Sequence, residues 1–386
     1  MIKQTFPKNK YHFHLWFPAL FNSTGGIQRY SSLCLTAFQG LYPDAVYDIV
    51  IKHDTDIPAK SANLSFHTSG HWPLALRTPA LAAQMIALGL QQRPNLIFST
   101  HPNFSVTAYW LKKLIGTPYW VAAHGIDAWD IQNPSVKKAL ENADLILAVS
   151  SYTRDRLLQE QNLKPNQVVV LPNTFNADNF PITPKPDHLL KQYGLNPQQP
   201  VILTVTRLAQ SPQRCKGYDK ILQALPQIRQ AIPNVHYVLV GEGNDRPRIE
   251  QLISQLQLQD CVTLAGYIPD EQLRDYYNLC DVFAMPSKGE GFGIVHLEAL
   301  ACGKATLGGN KDGAVDALCQ GELGALVDPD DIEAIAHNII QILQGTYPNP
   351  LLYQPEELRH RVVNKFGFER FQKSISYYLK DYISDN

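Results

Sequence analysis

Short apolar runs alternate with longer amphipathic stretches from one end of the chain to the other. In the first half, residues 12–17, 46–51, 96–99, 120–123, 145–149 and 168–171 read as buried strands, because each is a brief apolar run bounded by turn residues. Between them, residues 27–40, 74–89 and 152–161 repeat their apolar positions at helical spacing. This is the βα alternation of a parallel sheet with helices on its faces.

The pattern breaks at 172–200, where prolines stand at 172, 181, 184, 186, 197 and 200. Apart from a short helical stretch at 188–193 the segment has little periodicity, which marks a linker. The alternation then restarts. Residues 201–206, 235–240, 262–264, 282–285 and 305–307 read as strands, and 218–231, 246–257, 271–279 and 293–301 as helices. The expected organisation is a Rossmann-like domain over 1–175, a linker over 176–200 and a second such domain over 201–366. A helix at about 367–386 is expected to pack back on the first domain. Ligands of doubly wound sheets bind beyond the carboxyl ends of the strands. The expected site is therefore a deep cleft across which the two α/β domains face.

A chain of 386 residues is long enough for two cores, which agrees with this division. The formal net charge of −1 gives nucleic-acid binding no electrostatic support. The six cysteines, Cys34, Cys215, Cys261, Cys280, Cys302 and Cys319, form no CxxC pair. They read as separate thiols of a reducing compartment, and no histidine cluster stands at zinc-ligand spacing along the sequence. The basic start and the apolar run from Tyr11 resemble a signal peptide only loosely, since His12, His14 and Pro18 interrupt the run. The expected location is the cytoplasm, with a peripheral contact to a membrane left open.

The chemistry concentrates in 286–303, Pro-Ser-Lys-Gly-Glu-Gly-Phe-Gly-Ile-Val-His-Leu-Glu-Ala-Leu-Ala-Cys-Gly. A strand ends at Met285, a glycine-rich turn follows, and a helix starts near Gly293. Free backbone N–H groups of Gly293, Ile294 and Val295 at a helix start make an anion site. Either Glu290 or Glu298 alone would also fit a solvated carboxylate. The two together, flanking a Gly-Phe-Gly turn, are harder to explain that way.

This segment resembles the signature of family-4 glycosyltransferases of group 1, retaining enzymes of the GT-B fold, in which two glutamates are separated by seven residues. The resemblance implies that Glu290, Gly291 and Phe292 meet the donor sugar and that Glu298 holds the nucleotide ribose. A carboxylate suits a vicinal diol because it accepts two hydrogen bonds. Thr206-Arg207-Leu208 and Lys216-Gly217 resemble the family's cation pair, which implies that Arg207 and Lys216 grip the diphosphate. Thr206 stands where the family has glycine, and the insert before Lys216 brings in Arg214 as a competing cation. Gly241-Glu242-Gly243 and Gly266-Tyr267-Ile268-Pro269 resemble the turns that face the donor, with Tyr267 and Ile268 near the base. Thr24-Gly25-Gly26 resembles the loop against the donor phosphate. His124 matches the histidine beside the donor sugar. His101, Asn103 and Asp127 also stand at strand ends and are candidates to face the acceptor. Asn173 reads as a structural turn.

Charge stabilisation is usually the largest catalytic term. Here it would come from Arg207, Lys216 and the start of the helix, without a metal. The Asp-rich Asp328-Pro329-Asp330-Asp331 reads as a helix cap rather than a metal motif. The expected reaction is metal-independent, cofactor-free transfer of a hexosyl unit from a nucleoside-diphosphate sugar to a saccharide or lipid-linked saccharide, with retention. His124 and Glu290 would position the sugar. A UDP-sugar is favoured slightly over GDP-mannose. A nucleotide-sugar epimerase of the same fold and a non-catalytic partner protein are the alternatives. The apolar stretch 72–90 and the pairs Lys112-Lys113 and Lys137-Lys138 would suit a lipid surface; a buried helix with solvated lysines accounts for them more simply.

Overall fold

The computed structural model describes residues 11–21, 25–59, 63–209, 216–380 and 382. The chain forms two units, Met1–Thr174 with Phe368–Asn386, and Phe175–Gly367. In the first unit β1 (His12–Phe17), α1 (Gly26–Leu41), β2 (Val46–Ile51), β3 (Leu64–Thr68), α2 (Leu74–Gln92), β4 (Leu96–Ser99), α3 (Ser105–Ile115), β5 (Tyr119–Ala123), α4 (Pro134–Glu141), β6 (Leu145–Ala148), α5 (Ser151–Glu160) and β7 (Val168–Val170) follow in order. The strands form one sheet in the order β3-β2-β1-β4-β5-β6-β7, and every recorded pairing is parallel. All residues of β1, β4, β5 and β6 are buried, as a sheet covered by helices on both faces requires. Tyr30, Ser31, Cys34, Ala37 and Phe38 give α1 a buried stripe at helical spacing.

The second unit runs α6 (Asp187–Tyr193), β8 (Val201–Val205), α7 (Tyr218–Ala231), β9 (His236–Val240), α8 (Arg246–Gln255), β10 (Val262–Gly266), α9 (Leu273–Leu279), β11 (Val282–Met285), α10 (Ile294–Ala301), β12 (Ala305–Gly309), α11 (Ala314–Ala317), β13 (Ala325–Val327), α12 (Ile332–Leu343) and α13 (Pro355–Phe366). Its sheet order is β10-β9-β8-β11-β12-β13, again parallel throughout. Ile221, Leu222, Leu225 and Ile228 on α7 and Ile335, Ala336, Ile339 and Ile342 on α12 pack into one core with β8, β9 and β11. Each large side chain so buried contributes about 1.5–3 kcal/mol. The last helix, α14 (Phe368–Leu379), belongs to the first unit, where Phe371 meets Tyr30 edge-on.

Three features differ from the sequence expectation. The segment 176–200 is not a free linker but part of the second unit. Leu189 and Leu190 of α6 are buried, and Asn278 binds Thr183 N and Pro181 O. Proline content hid this packing. Strands β3 and β13 were not expected. Both are edge strands: β3 mixes polar and apolar residues, and β13 has three residues. The five described cysteines are free, and all but Cys319 are buried.

Candidate functional site

In each unit the chain reverses direction of winding beside its central strand. β8 lies between β9 and β11, and β1 between β2 and β4. Loops leaving those neighbours diverge, which opens a crevice at the carboxyl ends. In the second unit these loops carry Arg207 and Lys216 after β8, Gly241 after β9, Tyr267 after β10 and Glu290 after β11.

The Lys216 ammonium forms an ion pair with Glu290 Oε2, which joins the loops after β8 and β11. Both side chains are about one-fifth exposed. Arg207 is exposed. The competing cation Arg214 lies outside the described residues. The turn bearing Glu290 is held from below by Asp312, a residue the sequence reading missed. Its Oδ2 accepts hydrogen bonds from the Ser287 hydroxyl and from Glu290 N, both at 2.8 Å, and its Oδ1 accepts from Ala314 N at 2.9 Å. Burial pushes the Asp312 carboxyl up to about 7, against the three donors, which favour its ionised form. Nothing in the sequence around 312 distinguishes it from a loop aspartate, because Ser287 and Glu290, which tie it to the turn, come from another loop.

Gly293 starts α10 with φ +89°, a left-handed conformation that other side chains rarely adopt, and no side chain caps the helix there. Gly291, Phe292 and Ile294 are buried, and Val295 is half-buried. Glu298, on α10, is buried, and its Oε2 accepts a 2.6 Å hydrogen bond from the Tyr277 hydroxyl of α9. Tyr277 is the second residue missed; no local motif marks it. Gly241 has a packing reason of its own: a Cβ there would lie 1.7 Å from Thr206 O. Leu208 N also bonds Glu242 O, so the Gly-Glu-Gly turn is seated on the Thr-Arg-Leu backbone. Tyr267 is exposed and Ile268 half-buried. Asp331 caps α12 through Ala334 N, while Asp328 and Asp330 pair with Lys311 and Asp330 also with Lys288.

In the first unit His124 follows β5. Its ring meets Tyr30 edge-on, with centroids 4.7 Å apart, and its buried Nε2 has no hydrogen-bond partner among the described residues. Burial lowers its pKa to about 4, so the ring is neutral near pH 7. His124 N donates to Asp127 Oδ2. His101 lies within electrostatic reach of both, and burial lowers its pKa too. Its Nδ1 accepts from Asn103 N, which makes His101 a turn cap and leaves Asn103 exposed. Gly25 and Gly26 open α1, again with no side-chain cap. Among the described atoms, a Cβ on Gly26 would meet nothing within 4 Å. Asn173 is buried, as a structural residue would be.

Residues 187–365 match the family model "Glycosyl transferases group 1", and residues 52–179 match "Glycosyltransferase Family 4". A GDP-mannose-dependent alpha-(1-6)-phosphatidylinositol monomannoside mannosyltransferase of Mycolicibacterium smegmatis is 28% identical over 336 residues, covering 83% of this chain and 86% of that protein. Alpha-maltose-1-phosphate synthase of the same organism is 26% identical, covering 80% and 88%. Among solved structures, sucrose-phosphate synthase from Thermosynechococcus elongatus superposes with a TM-score of 0.80 over 96% of this chain and 99% of that one, at 22% identity. At that identity the likeness shows the fold.

Proposed function

Because this chain belongs to the group 1, family-4 glycosyltransferases of GT-B fold and is a hexosyltransferase, we propose that it moves a hexosyl unit from a nucleoside-diphosphate sugar to a lipid-linked saccharide, with retention and without a metal. The observation that carries this reading is the ion pair between Lys216 and Glu290 beside the uncapped start of α10. A cation, a carboxylate and a helix start converge there, on loops after β8 and β11. An incoming diphosphate competes with Glu290 for Lys216 and also faces the free N–H groups of α10. Glu290, released, is then available to the sugar hydroxyls, and Arg207 adds a second cation. Leaving-group charge is stabilised by fixed groups rather than by a dedicated acid.

Glu298, aimed by Tyr277, takes the ribose diol in this reading. Tyr267 and Ile268 border the base. Gly26, whose glycine no described neighbouring atom demands, leaves room for a phosphate at the start of α1. Neutral His124 offers its unspent Nε2 to the donor sugar, and His101, Asn103 and Asp127 border the acceptor.

The relative whose name carries GDP-mannose and phosphatidylinositol makes that donor and a lipid-borne acceptor the pair to set against a UDP-sugar. A lipid acceptor also fits the surface of the first unit. Trp72, Leu74 and Leu76 near the start of α2 and Trp110 and Leu114 on α3 are 51–81% exposed. These are large exposed apolar side chains, and on α3 the exposed Lys113 adjoins Leu114. Lys112 is not part of that surface charge, since it pairs with Asp144 at 2.7 Å.

The test is transfer with GDP-mannose and UDP-sugars to a lipid-linked acceptor, in chelator, with the product anomer read by NMR. Retained configuration and a loss of at least ~100-fold in kcat for Glu290→Ala are expected. Inverted product, or a fully active variant, contradicts the reading. Product formed without acceptor would mean an epimerase instead.

A further inference from the structure

Three histidines and an aspartate stand on one face of the first sheet. Side chains alternate along a strand, so His12 and His14 point the same way from β1. Asp48 of β2 lies in register with His14, and Ser65 of β3 with Asp48. His67, two residues on, shares that face. His12, His14 and Asp48 are all buried, and each offers one ligand atom within 4.8 Å of the others. Asp48 Oδ2 meets His12 Nε2 at 2.7 Å, and Oδ1 meets His67 Nε2 at 2.5 Å.

His14 is the informative member. It is fully buried, and its Nε2 lies 2.6 Å from Oε1 of Gln92, the last residue of α2. An amide oxygen only accepts, so the proton of this ring sits on Nε2 and Nδ1 keeps its lone pair. Nδ1 is buried and has no hydrogen-bond partner among the described residues. A ligating histidine has this form: neutral, one N–H fixed by an outer carbonyl, the other nitrogen unspent.

We propose that His12, His14 and Asp48, completed by His67, bind a divalent transition metal of the zinc class. Imidazole and carboxylate are the donors such ions take, at about 2.0–2.2 Å in tetrahedral geometry. Donors around a tetrahedral ion stand about 3.3 Å apart. Asp48 must therefore separate from His12 and His67 by somewhat under ~1 Å as the ion replaces the bridging protons, and His67, which is not among the three mutually close donors, must turn toward them. The His67 side chain is 22% exposed, which provides an entry path. The ion would tie the edge strand β3 to β2 and β1. It takes no part in sugar transfer, whose proposed residues in this unit lie beyond the carboxyl ends of β1, β4 and β5.

The test uses untagged full-length protein, stripped with chelator and titrated with Co2+. We expect one Co2+ per chain, a visible d–d band of a tetrahedral site that Zn2+ displaces, and a melting temperature raised by several degrees. His14→Gln and His67→Gln should each lose the band and at least tenfold in affinity. His67 is at the partly exposed rim, so His67→Gln tests the site even where His14→Gln fails to fold. No Co2+ uptake by the wild type, or variants with native circular dichroism that bind as the wild type does, overturns the proposal and leaves a network held by protons alone.

Discussion

Tyr277 shows how one hydroxyl can set the behaviour of a site. It donates to Glu298 inside a buried environment, where a hydrogen bond to a charged group is worth about 1.5–3 kcal/mol. Tyr277→Phe keeps the ring packed against Phe180 and Phe283 and removes that donor. The expected result is nucleotide affinity reduced by roughly tenfold or more, read by calorimetry, with little change in secondary structure. Affinity unchanged would mean that Glu298 is oriented by other contacts. Asp312 gives a second residue-level prediction. Asp312→Ala leaves the Ser287 hydroxyl and the N–H groups of Glu290 and Ala314 without their acceptor. We expect kcat/KM to fall about 100-fold, with a smaller loss in Asp312→Asn, whose amide oxygen still accepts. Glu290 and Glu298 were legible in the sequence because they lie in one contiguous motif. Asp312 and Tyr277 were not, because each acts on the motif from another element.

At the scale of elements, the loop after β9 is fixed by backbone approach rather than by side chains. Gly241 has φ +134°, and any Cβ would collide with Thr206 O. Gly241→Ala is therefore expected to destabilise the protein by at least ~2 kcal/mol, since strain and collision act together. A thermal melt compared with the wild type checks this. A melting temperature within a degree of wild type would show that the loop yields. The buried strands were legible because a strand covered on both faces must be continuously apolar. The edge strand β3 was not, because Ser65, His67 and Thr68 interrupt its apolar residues. The proline-rich segment 176–200 misled for a different reason. Proline limits backbone conformation, but it does not prevent Phe180 and Leu190 from being buried.

At the scale of the molecule, stability should depend on pH in a direction that the buried groups set. In the metal-free protein His14, His124 and His296 all titrate near 4, because burial disfavours their charged forms. Between about pH 4 and 6.5 the unfolded chain binds those three protons and the folded chain does not, so stability is lost as pH falls. Asp312, raised to about 7, acts in the opposite sense over about pH 4 to 7. Three protons against one leave a net slope of roughly 2.7 kcal/mol per pH unit at mid-window from these four groups. Urea denaturation from pH 7 down to pH 4.5 should show falling stability. A flat or rising trend would mean that these histidines charge within the fold.

Both Rossmann-like units were foreseeable from alternation alone, whereas the histidine and aspartate cluster was not. Its members are spread over β1, β2 and β3, and only parallel register brings them to one face. The proposed donor site rests on a contiguous motif plus two cations, and nucleotide binding tests it most directly. Calorimetric titration of UDP, GDP and ADP in chelator should show one nucleotide binding well, with Arg207→Ala and Glu298→Ala each weaker by at least ~10-fold. Binding of none of the three, or equal binding by wild type and both variants, would contradict the account.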